Sequence, residues 1–457
     1  MYFLISFLAF AIAVAASLFF EKPMVWAMLL GYLLLAAGAI RRGTKPLLLA
    51  KASLLGVREA LGVIEILLLI GMLTAAWRMS GVIAFFVYYG IGMITPRLFI
   101  LIAFLLTCLI SYALGTSVGV AGTAGVILMA IARSGGINEF VAAGAILSGV
   151  YFGDRSSPSA SSANLVASLT KTDLYGNVSR MLKSAVVPTA ICLVAYCALS
   201  FMNPIEAANS GYMNDIREDF NITWYALVPV MIMFIAPLLR IKVKYALAAS
   251  TAAASLIAFF LQNIPVVEIA RTLAFGYYPE KAVMGDIWNG GGLTSMLSII
   301  SILAVSSTYS KILGVSGLMR ELNEFVGRMM KRFGQSATVL ASSFLTSGIF
   351  CSQITSCIMT TNLLRREYKK RGESREDLAL DLENSLVIIA PMVPWCLSCS
   401  VPLKLLDVGL GAMRWDFYIF LIPLCYFFSK ELKSKRGRAR VYLIKRRLLR
   451  LAPDFLR

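Results

Sequence analysis

Residues 153–165 read GDRSSPSASSANL, a carboxylate, an arginine, a proline and five serines set among long apolar runs. Within hydrocarbon, interrupted backbone is tolerated only where protein or a water-filled cavity covers its freed N–H and C=O groups. The stretch therefore either lies outside the bilayer or lines a cavity, and which of these holds decides both fold and function.

The rest of the chain shows how much hydrocarbon surrounds it. Of 457 residues, 58% are hydrophobic and only 15% charged, with a mean hydropathy of +0.76, whereas soluble domains carry about 25% charged residues. Apolar runs at 2–20, 24–40, 60–77, 98–116, 184–202, 222–239, 245–262, 293–313 and 417–429 approach or reach the roughly 20 residues that cross a bilayer as a helix. The chain is thus expected to be an all-α polytopic membrane protein. Its first run has neither a basic leader nor a small-residue cleavage site and reads as a span.

Eight cysteines lie in or beside apolar segments and there is no histidine. The thiols read as small hydrophobes, and the Cys396/Cys399 pair lacks the partners a zinc site needs. No resident metal or cofactor is expected. The missing histidine and the absence of HExxH or nucleophile-elbow motifs also argue against an enzyme.

Charge gives orientation. Lys and Arg near span ends stay cytoplasmic, and basic loops at 41–58, 171–183, 240–244, 311–335 and 365–375 alternate with an acidic one at 203–221. The pattern puts both termini in the cytoplasm. From residue 430 onward eleven Lys/Arg oppose two acids, holding +9 of the net +18. A basic tail directly after a span suits anionic lipid and argues against nucleic acid.

Two stretches resemble each other: GVIEILLLIGMLTAAWRMSGVIAFF from Gly62 and GLTSMLSIISILAVSSTYSKILGVSGLM from Gly292. Each precedes a long span, then a small polar break, then a proline-bearing break, and the loop charges give the copies opposite directions. Inverted-topology repeats with discontinuous, broken or re-entrant helices and roughly 11–14 membrane segments are expected, with a binding site near mid-membrane. The chain divides into an N-terminal two-helix segment with its cytoplasmic loop (1–57), a first repeat (58–202), a connecting loop and linking helices (203–288), a second repeat (289–429) and the basic tail (430–457).

The breaks hold the candidate chemistry. Asp154, at the end of an apolar run, costs at least about 2.5 kcal/mol at bilayer depth, so it needs a function or a partner such as Arg155. As a cation or proton site it is joined by the hydroxyl and amide oxygens of Ser157, Ser161 and Asn164, with Pro158 disfavouring helix at Ser157. In the second half Ser352, Gln353, Glu383 and Asn384 are the matching candidates. Glu65, five residues into its run, is either a proton carrier or a span-end acid paired with Arg58. The run GTSVGVAGTAG (115–125) lacks the Lys-Ser/Thr of a phosphate loop, and reads as close helix packing or as a segment facing the same cavity.

GAILSGVYFGDRSSP…NL (144–165), DLYGNVSRML, GTSVGVAGTAGV, YKKRG (368–372) and LENS…PMVPW ending at Trp395 together resemble the NhaC-type sodium/proton antiporters of the ion-transporter superfamily, over about residues 55–410. The resemblance implies a two-repeat transporter exchanging Na+ for H+ across the plasma membrane, among relatives that carry small organic acids and amino acids. It also implies acids where this chain has Ser161, Ser352 and Asn384. A site in which Na+ competes with H+ needs an ionisable ligand, which leaves Asp154 and Glu383, with Glu65 as an addition. The expected activity is Na+/H+ antiport by alternating access. The alternative is a Na+- or H+-coupled carrier of a small organic acid or amino acid, with Arg155 as a substrate-anion contact. Homo-oligomerisation stays open.

Overall fold

The computed structural model describes residues 22–93, 97–204, 216–239, 241–279 and 288–432, with 9, 10, 12–14, 16, 17 and 20. Most of the expected first span, residues 205–215 of the acidic loop and the tail beyond 432 lie outside them. The regular secondary structure of the described residues is helical, apart from one isolated bridge between Tyr277 and Gly290. Five helices are long and apolar enough to cross a bilayer, and a sixth span results if 375–405, bent by 54° at its break, counts as one.

The helices that build the interior are α1 (Val25–Arg41), α2 (Pro46–Met79), α3 (Val82–Met93), α4 (Phe99–Leu114), α5 (Ser117–Ser134), α6 (Glu139–Ser156), α7 (Ser161–Thr170) and α8 (Leu174–Met202). They continue with α9 (Leu227–Leu238), α10 (Val243–Phe260), α11 (Val266–Phe275), α12 (Leu297–Val315), α13 (Leu318–Phe350), α14 (Gln353–Arg371), α15 (Arg375–Asn384), α16 (Leu397–Leu405) and α17 (417–432). On α8, Val186, Val187 and Val194 are exposed while Cys192 and Tyr196 are buried. A helix that presents valine outward and a hydrogen-bonded tyrosine inward suits a face turned to lipid, which takes apolar side chains at no cost while polar groups find partners inside.

Small residues draw the helices together, as they do in membranes, where van der Waals contact and not the hydrophobic effect holds helices to one another. A Cβ on Gly149 would fall 2.0 Å from Thr107 Oγ1, and one on Gly153 2.0 Å from the carbonyl carbon of Ser111. These contacts rise together along the two chains, so α4 and α6 run parallel. α5 runs the other way: Gly125 meets Ile146, and Arg133 Nε pairs with Glu139 at 2.9 Å. α4 and α5 are therefore the two arms of a hairpin whose tip is Gly115–Thr116. In the second half, Ser356 Oγ donates to Thr346 O at 3.0 Å and Arg371 Nη2 to Met330 O at 2.7 Å. α13 and α14 form a hairpin of the same kind, with its tip at Cys351–Ser352.

The two tips share one backbone solution. Gly115 is left-handed (φ 68°, ψ 31°) and Thr116 extended (−144°, 121°); Cys351 is left-handed (54°, 10°) and Ser352 extended (−134°, 124°). The two sequence copies also meet. A Cβ on Gly56 would touch Ser307 O at 2.5 Å and one on Gly71 would touch Gly292 O at 2.5 Å, so α2 and α12 pack antiparallel.

Candidate functional site

Asp154 occupies the last turn of α6, which stops because Pro158 forces Ser157 into extended backbone (φ −80°, ψ 139°). The break runs over 157–160 before α7 resumes at Ser161. It lies against the first hairpin tip: Ser159 Oγ donates to Ala113 O at 3.3 Å, and a Cβ on Gly115 would sit 2.5 Å from Ala160 N. This contact sets the N-terminus of α5 on the carboxylate. Ser117 N–H donates to Asp154 Oδ1 at 3.2 Å, and the positive end of the α5 dipole adds to that bond. Ser162 Oγ holds the backbone oxygen of Asp154 at 2.6 Å.

The second tip reaches the same place. Gln353, the first residue of α14, lines the same cavity as Asp154 and donates through Nε2 to Val387 O at 2.9 Å. Leu397 N–H donates to Cys351 O at 2.9 Å and Trp395 Nε1 to Gly348 O at 2.7 Å, which ties the second break to its own tip. Between the tips lies a cavity of about 270 Å³. Asp154, Ser161, Thr116 and Ser117 line it from the first half, and Ser352, Gln353 and Ser398 from the second. Its remaining wall is apolar, chiefly Ile66, Leu67, Ile70 and Leu73 of α2.

Four of the expected residues, Asp154, Ser161, Ser352 and Gln353, thus share one cavity. The others do not line it. Ser157 Oγ bonds Ser159 Oγ at 2.7 Å, and Asn164 Nδ2 holds the break's own carbonyls, Pro158 O at 3.0 Å and Ala160 O at 2.8 Å. Arg155 is wholly buried behind the cavity wall and makes six hydrogen bonds, the shortest to Asn384 Oδ1 and Ser184 Oγ at 2.7 Å each. All six acceptors are neutral. The arginine fastens α6 to α8, α15 and α17.

Asn384 is accordingly engaged with Arg155 and Ser184. Glu383 is buried, and neither of its carboxylate oxygens has a hydrogen-bond partner. Glu65 is half exposed and pairs with Lys244 at 3.3 Å, not with Arg58. Lys430, counted with the tail from sequence, belongs to the helical body: it pairs with the buried Asp381 at 2.6 Å, beside Tyr426 and Tyr368.

Three polar features were not singled out from sequence. Ser117 offers its backbone N–H, which no side-chain pattern reports. Asp381 and Asp416 are buried carboxylates, the latter taking a 2.6 Å bond from Ser148 Oγ, which also bonds Tyr196 OH at 2.5 Å. Asp416 immediately precedes an apolar run, the mirror of the position that drew attention to Asp154.

The sequence model described as the Na+/H+ antiporter family matches residues 149–428, more than half of the chain, and contains both breaks. The chain belongs to the Na+/H+ antiporter family. Relatives of this antiporter align over most of its length. It is 26% identical over 395 residues to the malate-2H(+)/Na(+)-lactate antiporter of Bacillus subtilis, covering 84% of each chain. It is 24% identical to the Na(+)/H(+) antiporter NhaC of Alkalihalophilus pseudofirmus, covering 82% of this chain and 83% of that one. It is 27% identical to the arginine/ornithine antiporter ArcD of Halobacterium salinarum, covering 73% and 71%. The antiporter is an integral membrane protein of the NhaC type.

Proposed function

We propose that the chain exchanges Na+ for H+ across the plasma membrane by alternating access, with Asp154 as the ionisable ligand and Ser161, Ser352 and Gln353 as neutral ones. One observation carries this reading: the only carboxylate lining the central cavity, among the described residues, stands where two hairpin tips from opposite halves of the chain converge. A hard cation takes oxygen ligands, and only a deprotonated carboxylate binds it, so Na+ and H+ exclude each other at Asp154. Glu383, buried without a partner in the adjoining break, is the second proton-binding group.

The two halves, 58–202 and 289–429, act as inverted repeats on this reading. It is supported by the antiparallel packing of α2 on α12, by the matching left-handed-then-extended tips, and by loop charges that put the first hairpin's open end outside and the second's inside. Both termini are then cytoplasmic. In proteoliposomes carrying a pH-sensitive dye, added Na+ dissipates an imposed proton gradient without any organic solute; no response to Na+ at any pH would sink the proposal.

A second reading has its own observation. The cavity, at about 270 Å³ and with an apolar wall, is larger than a bare cation requires, and an organic anion would bring the negative charge that Ser161 and Ser352 do not supply. The two organic-solute antiporters among the relatives support it. A Na+ response that needs a small organic acid or amino acid in the assay would favour this reading over the first.

A further inference from the structure

A second cavity, of about 150 Å³, is lined by the same two helices as the central one, farther along each of them. α2 lines the first with Ile70 and Leu73 and the second with Thr74 and Arg78; α16 lines the first with Ser398 and Val401 and the second with Lys404 and Leu405. Arg78 is only 5% exposed. Its guanidinium has a single hydrogen bond, a long one of 3.4 Å from Nη1 to Thr74 O in the preceding turn of its own helix, and its Nε has no partner. Asp407, the acid that shares the cavity, pairs with Lys404 at 3.8 Å.

The contrast with Arg155 defines what is missing. That arginine, equally buried, has a partner on every nitrogen, as a group with five N–H donors requires. Arg78 keeps most of its donors unfilled, with Asp407 of the same cavity acting on it only at a distance, although a buried charge without hydrogen bonds is costly. Gly290 (φ +122°) passes beside the guanidinium, where a Cβ would stand in ordinary contact 3.6 Å from Cζ, and Gly291 follows at φ +79°; both are backbone conformations that favour glycine. With Lys404 and Asp407 cancelling, one positive charge is left over in a space holding about five waters at their liquid volume. A halide leaves most of that room empty. A carboxylate of two or three carbons fills it, and its two oxygens match the planar guanidinium fork.

We infer that the Arg78 cavity binds a small monocarboxylate at a site separate from Asp154. The inference stands apart from the proposed cation exchange, because it uses none of that site's residues. Radiolabelled acetate, added as its N-methylglucamine salt to the purified full-length chain in a scintillation proximity assay, tests it. Saturable binding is expected, weakened about tenfold or more in Arg78→Gln, where the bidentate charged pair is lost, and unchanged in Asp154→Asn. Lys404→Gln, which keeps Arg78, weakens binding by a smaller factor and carries the test if Arg78→Gln does not fold. The inference is overturned by an absence of saturable acetate binding, by wild-type binding in the Arg78 and Lys404 variants, by loss of binding in Asp154→Asn, or by chloride competing as well as acetate.

Discussion

The two hairpin-and-break junctions share backbone geometry and differ in how each treats its carboxylate. In the first, Asp154 faces the cavity and accepts the Ser117 N–H, while its neighbour Arg155 is turned away and saturated by neutral acceptors. In the second, Glu383 is turned away with no hydrogen bond to its carboxylate, and its neighbour Asn384 takes the bond from Arg155. The same fold element thus presents a charge to the cavity on one side and hides one on the other. An exchanger needs a ligand that meets the ion and a group whose protonation changes the energy of the packing around it. On the proposed reading the junctions divide these roles between them.

The largest expected effect comes from removing the exposed half of this pair. Asp154→Asn keeps the shape and the Ser117 contact but cannot ionise, so Na+-dependent dye recovery falls to the liposome background, about a hundredfold or more, equivalent to roughly 3 kcal/mol. Membrane insertion is retained, because an amide is less costly than a carboxylate at that depth. Residual coupled flux in this variant would transfer the ligand role to the second junction and reverse the comparison.

Gly115 and Cys351 offer the next contrast, since both are left-handed but only one carries a side chain. Gly115→Ala adds the left-handed penalty of about 1–2 kcal/mol and overlaps with Ala160 N and the Ser159 carbonyl carbon, each 2.5 Å from the new Cβ. Overpacking of this kind costs a further 1–3 kcal/mol or so. Flux is expected to drop about tenfold or more and the detergent melting temperature to fall. Cys351→Ala, where the side-chain penalty is already present, removes only a buried thiol and costs about 1 kcal/mol. Equal effects at the two positions would show that the tips do not bear on their breaks in the same way.

Much of the first junction was legible in the chain. Pro158 and five hydroxyls in ten residues have no purpose in a continuous lipid-facing helix, so the break and its aspartate stand out against the apolar background. The loop charges also assign the two copies opposite directions, and α2 and α12 pack antiparallel. The functions of individual side chains within the break were not. Ser157 is the same residue type as the cavity-lining Ser161 and Ser352, and only the folded backbone shows that Ser157 bonds Ser159 while Asn164 holds the break's own carbonyls. Ser117 acts through its main chain, and the glycine run around it reads equally well as packing. Glu383 and Asn384 stand next to each other in a motif, which says nothing about which of them faces Arg155. Asp416 and Arg78 sit at the ends of apolar runs, where an exposed charge is the ordinary expectation.

Glu383→Gln sharpens the division of roles, with a smaller loss. The amide removes a titratable group whose carboxylate accepts no hydrogen bond, so thermal stability in detergent changes little, the relieved desolvation being offset by the lost attraction of Arg155. Na+ binding at Asp154 is retained, while the coupling of Na+ movement to an imposed pH gradient weakens about tenfold, a change of roughly 1.4 kcal/mol. Isotopic Na+ exchange at equal pH, compared with Na+ uptake driven by a pH gradient, separates the two. Loss of both together would place Glu383 in the ion's path and erase the difference between the junctions.

The smallest effect belongs to Glu65, the acid that lies in neither junction. It is half exposed and bound to Lys244 at 3.3 Å, one residue before the cavity-lining Ile66. An exposed ion pair is worth about 0–1 kcal/mol, and its loss leaves the cavity wall of α2 intact. Glu65→Gln is therefore expected to change antiport by no more than about twofold, the size of effect that such a pair allows. The sensitive measurement is the salt dependence of the rate, since screening already weakens the pair in the wild type. A collapse of proton coupling in Glu65→Gln, with Na+ exchange intact, would move the proton's route from the second junction to α2 and leave Glu383 as a buried cost without a task.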